Sequence, residues 1–162
     1  MSELPIQERI FDHSFRRAVE LMDSGSLRAL RKHLEGNPAL LSIRSDYEGD
    51  AEGQYFHRPY LIWFIAENSI RTGSMPENVE DVASLLIELG SKQLDYTLCL
   101  VVSGCIARQQ GKQRRLIRVL SEAGADPDGA LRSALGESDL EAAQYLLDAG
   151  AELTLEAAAS LD

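Results

Sequence analysis

The stretch RRLIRVLSEAGADPD, residues 114–128, has a near copy in LEAAQYLLDAGAELT at 140–154 and a forerunner in VEDVASLLIELGSK at 79–92. Each carries an amphipathic helical pattern that stops at glycine followed by a small residue. Aligned on Gly90, Gly124 and Gly150, the apolar positions fall into columns. Val82, Leu116 and Ala142 form one; Leu85, Val119 and Tyr145 a second; Leu86, Leu120 and Leu146 a third. A glycine just past the last turn supplies the left-handed C-cap at which a side chain is penalised. Each helix is too short and too one-sided to stand alone, so its stripe must be buried against neighbours, as in stacked repeats.

Upstream, SLRALRKHLEGNPALL (26–41) reads as a weaker copy that stops at Gly36-Asn37-Pro38. A further helical stretch precedes each of the four. These are FRRAVELM (15–22), PYLIWFIAEN (59–68) with Pro59 placed for an N1 position, DYTLCLVVSGCIARQ (95–109) and ALRSALGE (130–137). In the third, Leu98, Val101, Val102, Cys105 and Ile106 form a helical stripe. Strand signals are poor throughout. The reading is an all-α single domain over 1–162. It has a lead-in at 1–14, helix-turn-helix units at 15–41, 59–91, 95–126 and 130–152, and a partial fifth at 153–162. Ala157, Ala158 and Ala159 look like an interior helix rather than a polar cap. That predicts either a piece of a longer protein or an irregularly docked last helix.

The endings LIRVLSEAGADPD and AAQYLLDAGAELT resemble the second helix and exit loop of an ankyrin repeat, roughly Val-Val-x-Leu-Leu-Leu-x-x-Gly-Ala-Asp-x-Asn. Ala125 and Ala151 keep the small residue and Asp126 the acidic one, while Ser91-Lys92 departs from the pattern. Ile62-Trp63-Phe64 and Leu131-Arg132-Ser133 stand in the Leu-His-Leu slot of the first-helix signature, without its histidine. The opening units resemble those of bacterial ankyrin-repeat proteins. The resemblance implies an ankyrin-like helix-turn-helix solenoid of four to five irregular repeats, with a concave binding face lined by first helices and the loops before them. The glycines lie 54, 34 and 26 residues apart, against a family period of about 33. The long interval carries insertions at 69–78 and in an acidic loop near 46–53. The short one predicts tight turns in place of projecting hairpins.

Composition narrows the function. The net charge is −10, from 26 acids against 16 bases, which argues against nucleic-acid binding. The local cluster Arg108, Lys112, Arg114, Arg115 and Arg118 reads as a solvated helix face. No apolar run is long enough for a membrane span, and MSELPIQERIFDHSF lacks the apolar core of a secretory signal. Cys99 and Cys105 would stand about 9 Å apart along one helix, too far to pair. Two unpaired thiols point to the cytoplasm.

No catalytic or zinc motif is present, so no enzyme activity, cofactor or metal is expected. His13, His33 and His57 are scattered, and His33 reads as a hydrogen-bonded packing residue. Cys99 reads as an inert thiol at a helix interface. The uneven feature is aromatic: six of the ten aromatic residues, Tyr47, Tyr55, Phe56, Tyr60, Trp63 and Phe64, lie between 47 and 64. Trp63 and Phe64 read as core. Tyr47, Tyr55, Phe56, His57 and Arg58 are the candidate partner-binding residues, because aromatics and arginine dominate interface energetics. The expectation is a monomeric, non-catalytic scaffold that binds a protein partner through its concave face and the 46–58 loop. Two alternatives remain: a structural segment of a larger protein whose activity lies elsewhere, or an enzyme with a pocket beside that loop.

Overall fold

The computed structural model describes residues 6–48, 54–155 and 159. Among them all regular elements are helical, and the one β-type pairing is an isolated antiparallel bridge between Arg44 and Tyr60. The helices are α1 (His13–Asp23), α2 (Leu27–Gly36), α3 (Val79–Glu88), α4 (Leu94–Ser103), α5 (Cys105–Gln109), α6 (Gln113–Glu122), α7 (Pro127–Gly136) and α8 (Leu140–Asp148). Short 3-10 helices add Ile6–Arg9, Pro38–Leu41, Gln54–Phe56 and Leu61–Ala66.

The helices pack in two rows. In the first, α1 packs on the 3-10 helix Leu61–Ala66, that helix on α4, and α4 on α7. In the second, α2 packs on α3, α3 on α6, and α6 on α8. Cross-row contacts pair α1 with α2, Leu61–Ala66 with α3, α4 with α6, and α7 with α8. The columns read from the sequence explain the second row. Leu86, Leu120 and Leu146 are wholly buried, as are Leu116 and Ala142, with Val82 nearly so. The column of Leu85, Val119 and Tyr145 lies at the edge, with Leu85 buried and the other two half-buried.

The helix endings repeat as closely as the stripes. Gly90, Gly124 and Gly150 take φ of 111°, 98° and 101°. In each case the next residue's N–H reaches back five residues: Ser91 to Leu86, Ala125 to Leu120 and Ala151 to Leu146, at 2.9–3.0 Å. These are Schellman endings, which satisfy carbonyls the last turn leaves open. The same bond ends α7, from Asp139 to Ala134 at 2.8 Å, but there Ser138 takes the left-handed position at φ 56°.

Polar contacts tie the inter-helix turns in order. The Asn78 side chain donates to the Gly25 carbonyl at 3.0 Å. Lys112 Nζ donates to the Glu77 carbonyl at 3.1 Å and to its carboxylate at 2.7 Å. Gln113 Nε2 and Arg108 Nε meet Asp139 at 3.3 and 3.0 Å, and Asp139 also caps α8 by accepting from Ala142 N. On the opposite loops, Asp95 accepts from Asp126 N and Asp128 from Glu152 N, both at 2.8 Å.

Four sequence expectations are corrected. Within 59–68 only Leu61–Ala66 is helical, as a 3-10 helix, and Pro59 precedes its N-cap Tyr60 instead of standing at N1. The stretch 95–109 is broken at Gly104, where a Cβ would meet the Leu100 carbonyl at 3.0 Å; the break turns Cys105 out to solvent. Gly36 is the last residue of α2 and has no positive φ, so that ending differs from the other three. The basic cluster is not a uniformly solvated face, because Lys112 is buried against Glu77 while Arg108 and Arg115 are ion-paired to Asp139 and Glu80. Both cysteines are free. Parts of the lead-in, the acidic loop and the partial fifth unit lie outside the described residues, with Asp50, Glu52, Ala157 and Ala158 among them.

Candidate functional site

Between the first and second expected helix-turn-helix units, the backbone leaves helical geometry and must satisfy its polar groups in other ways. Residues 44–48 and 56–60 run antiparallel, tied by Ser45 N to the Pro59 carbonyl at 3.0 Å and Arg58 N to the Tyr47 carbonyl at 2.7 Å. This excursion is anchored from below. Tyr47 and Phe56 are buried, their rings 6.4 Å apart, and Phe56 lies 5.2 Å from Phe64 in an edge-on contact. The Arg9 guanidinium sits 5.0 Å above the Tyr47 ring. Asp46 accepts from the backbone N–H groups of Phe11 and Asp12 at 3.1 and 2.8 Å, fastening the excursion to the start of α1.

Above that base lies an exposed aromatic and cationic face. Tyr55 is 47% exposed and Tyr96, in the first turn of α4, 37%. The Tyr96 hydroxyl donates to the Tyr55 carbonyl at 2.7 Å, and its ring lies 4.4 Å from that of Trp63. Burial, the largest cause, pushes the Tyr96 phenol above its ordinary value. The Tyr55 hydroxyl reaches Asn68 at 3.3 Å, and Asn68 is held by the Leu100 carbonyl and Ser103. Arg44 stacks over Tyr60 at 4.7 Å and Trp63 at 5.4 Å and donates to the His57 and Arg58 carbonyls. Trp63 is buried, and its indole N–H has no hydrogen-bond partner among the described residues. Neither Arg44 nor Arg58 meets a carboxylate among the described residues. Cys99 borders this face one turn beyond Tyr96, close to Gly129 and Ser133 of α7, and burial pushes its thiol up.

The five residues singled out in the sequence therefore divide. Tyr55 and Arg58 are exposed, His57 is half-buried with its Nδ1 against the Glu48 carbonyl, and Tyr47 and Phe56 belong to the core. Trp63 and Phe64 are core, as read. The structure adds Arg44, Tyr60 and Tyr96. Tyr96 carried a legible signal, an aromatic lying off the Leu98–Val101–Val102 stripe of its helix. Arg44 carried none.

The insertion at 69–78 is fastened beside this region by a buried ion-pair clasp. The Arg71 and Glu67 side chains are each 2% exposed and 3.0 Å apart, and Arg71 makes a bidentate pair with Asp23 at 2.6 and 2.7 Å. Glu67 Oε1 accepts from the backbone N–H groups of Arg71, Thr72 and Gly73, doing the work of a missing helix turn.

No protein-family model matches the chain, nor does any curated protein or solved structure. His13 is exposed, His33 is hydrogen-bonded to the Ser14 carbonyl, and His57 is engaged as above. Among the described residues no group of three or more His, Cys, Asp or Glu side chains is arranged around a metal position, and no helix is long and apolar enough to cross a membrane.

Proposed function

We propose that this chain is an ankyrin-like helix-turn-helix solenoid acting as a non-catalytic protein–protein interaction scaffold in the cytoplasm. The solenoid reading is supported by the two rows of consecutively packed helices, the repeated Schellman endings and the turn-to-turn contacts. The two free thiols are in keeping with a reducing compartment. Binding runs through the first-row face and the paired stretches 44–48 and 56–60.

One observation carries the binding assignment. Tyr55 and Tyr96 are exposed and joined by a hydrogen bond, Arg44 stacks on Trp63 beside Tyr96, and Arg58 is exposed on the same excursion, with both arginines free of carboxylates among the described residues. Pre-organised tyrosines with arginine have the composition of interface hot spots and lose little entropy on binding. The two arginines favour a partner whose contact surface is acidic. The test is affinity capture with the intact chain, identification of the bound proteins, and affinity measurement for Tyr55→Ala/Arg58→Ala. Both residues are exposed, so the thermal melt should hold while affinity falls by about 2 kcal/mol or more. Unchanged affinity for the same partners in the folded variant would remove this face from the reading.

A further inference from the structure

The opposite row of helices holds a second surface, different in chemistry. Arg114, Arg115 and Arg118, all exposed on α6, border an open surface hollow of about 260 Å³. Arg114 and Arg118 also line a groove of about 360 Å³ between α6 and α8, whose walls include Ile117, Tyr145 and Ala149. The arginines are unequally compensated. Arg115 is paired with Glu80 at 2.8 Å, and Arg114 lies 5.1 Å over the Tyr145 ring. Among the described residues no carboxylate stands within ion-pair distance of Arg118. The first turn of α6 holds no acid. Arg114 and Arg118 are like charges one turn apart, and the helix dipole opposes the cations near its start, so both terms work against this arrangement in the empty protein.

We propose that the hollow and its groove bind a phosphorylated peptide segment, the phosphoryl group between the arginines and the following residues along the groove beside Tyr145. Two arginines, neither within ion-pair distance of a carboxylate among the described residues, match a phosphomonoester, which carries about −1.5 to −2, better than a single carboxylate. Planar guanidinium groups suit its oxygens through paired hydrogen bonds. Free phosphate would leave the wall of Tyr145 and Ala149 unused. A nucleic acid is opposed by Glu122 and Asp148, which line the same groove, and by the net charge of −10.

The test is an NMR titration of the intact chain with four probes. They are a pool of short peptides randomised around phosphoserine, the same pool unphosphorylated, the same pool with Glu in its place, and inorganic phosphate. The proposal expects the Arg114 and Arg118 Nε–H signals and the amides of the last turn of α8 to shift with the phosphorylated pool. The apparent affinity should exceed that of every other probe by about tenfold or more. Arg118→Glu should abolish that difference with the melt unchanged, while Arg28→Glu, an equal change of charge on exposed α2, should leave it intact. Absence of shifts, equal response to the unphosphorylated or Glu pool, inorganic phosphate matching the peptides, or equal damage from Arg28→Glu would each overturn it.

Discussion

Residues 79–151 and residues 44–78 solve one problem, joining helical layers, by opposite means. The first region is six α-helices, α3 to α8, with apolar columns in register and endings that repeat residue for residue. Among its described residues the second contains no α-helix. Where the helical period holds, backbone groups pair within each helix and the side chains need only bury a stripe. Where it fails, side chains must answer for the backbone. Glu67 takes three amides, Arg71 the Phe64 carbonyl, and Arg44 the His57 and Arg58 carbonyls. Irregular backbone thus concentrates polar and aromatic side chains in one place, and the candidate binding face sits on top of them.

The contrast is broken most severely at Arg71. Arg71→Ala leaves Glu67 and Asp23 without their cation, Glu67 fully buried, and the expected loss is about 3–5 kcal/mol in urea unfolding. In the regular region Arg115→Ala also removes an ion pair, but the arginine there is 56% exposed, so the loss stays within about 1 kcal/mol. Equal losses at the two positions would mean that the clasp does not bear the irregular region's stability.

Smaller changes sharpen the regular region. Gly124 holds φ 98° with nothing within 4 Å of a prospective Cβ, so Gly124→Ala tests backbone conformation without a clash. It should cost about 1–2 kcal/mol. Ser138 occupies the equivalent position in the turn after α7 with a side chain, and Ser138→Gly should gain up to about 1 kcal/mol. If both substitutions proved neutral in denaturant melts, the Schellman endings would carry no conformational weight.

The same division decided what could be read in advance. The columns through Leu86, Leu120 and Leu146 and the stops at Gly90, Gly124 and Gly150 were legible because local period and local cap chemistry determine them. Gly36 was misread because a glycine at a helix end is equally compatible with an ordinary helical φ. Nothing local marks Gly104 as a break; its need arises from the close approach of the Ala66 and Leu100 carbonyls. At the candidate face, the concentration of aromatics was visible, but alternation across an irregular excursion has no period. Tyr55 therefore could not be told from Phe56, nor Arg44 connected to Trp63, without the long-range antiparallel pairing of 44–48 with 56–60. The Arg71–Asp23 pair spans 48 residues and has no sequence signature.

The smallest expected effect lies at the seam between the two regions, where Tyr96 and Cys99 on α4 face the excursion and α7. Both groups have folded-state pKa values raised, first by burial, from ordinary values of 10.0 and 9.0. In the unfolded chain they lose their protons earlier as pH rises, so above about pH 9 the folded state holds more protons than the unfolded state. Stability is then full below the unfolded pKa values and falls as pH climbs through the folded ones. Tyr96→Phe/Cys99→Ala should lower stability at neutral pH, because the 2.7 Å bond to the Tyr55 carbonyl is lost, yet decline less steeply between about pH 8.5 and 11. Tyr145, raised first by its hydrogen bond to Glu141, remains in both proteins, so the difference in slope belongs to the seam. Urea unfolding across that range provides the measurement. Parallel pH profiles for the two proteins would show that Tyr96 and Cys99 are solvated in solution, and that the excursion does not close over α4.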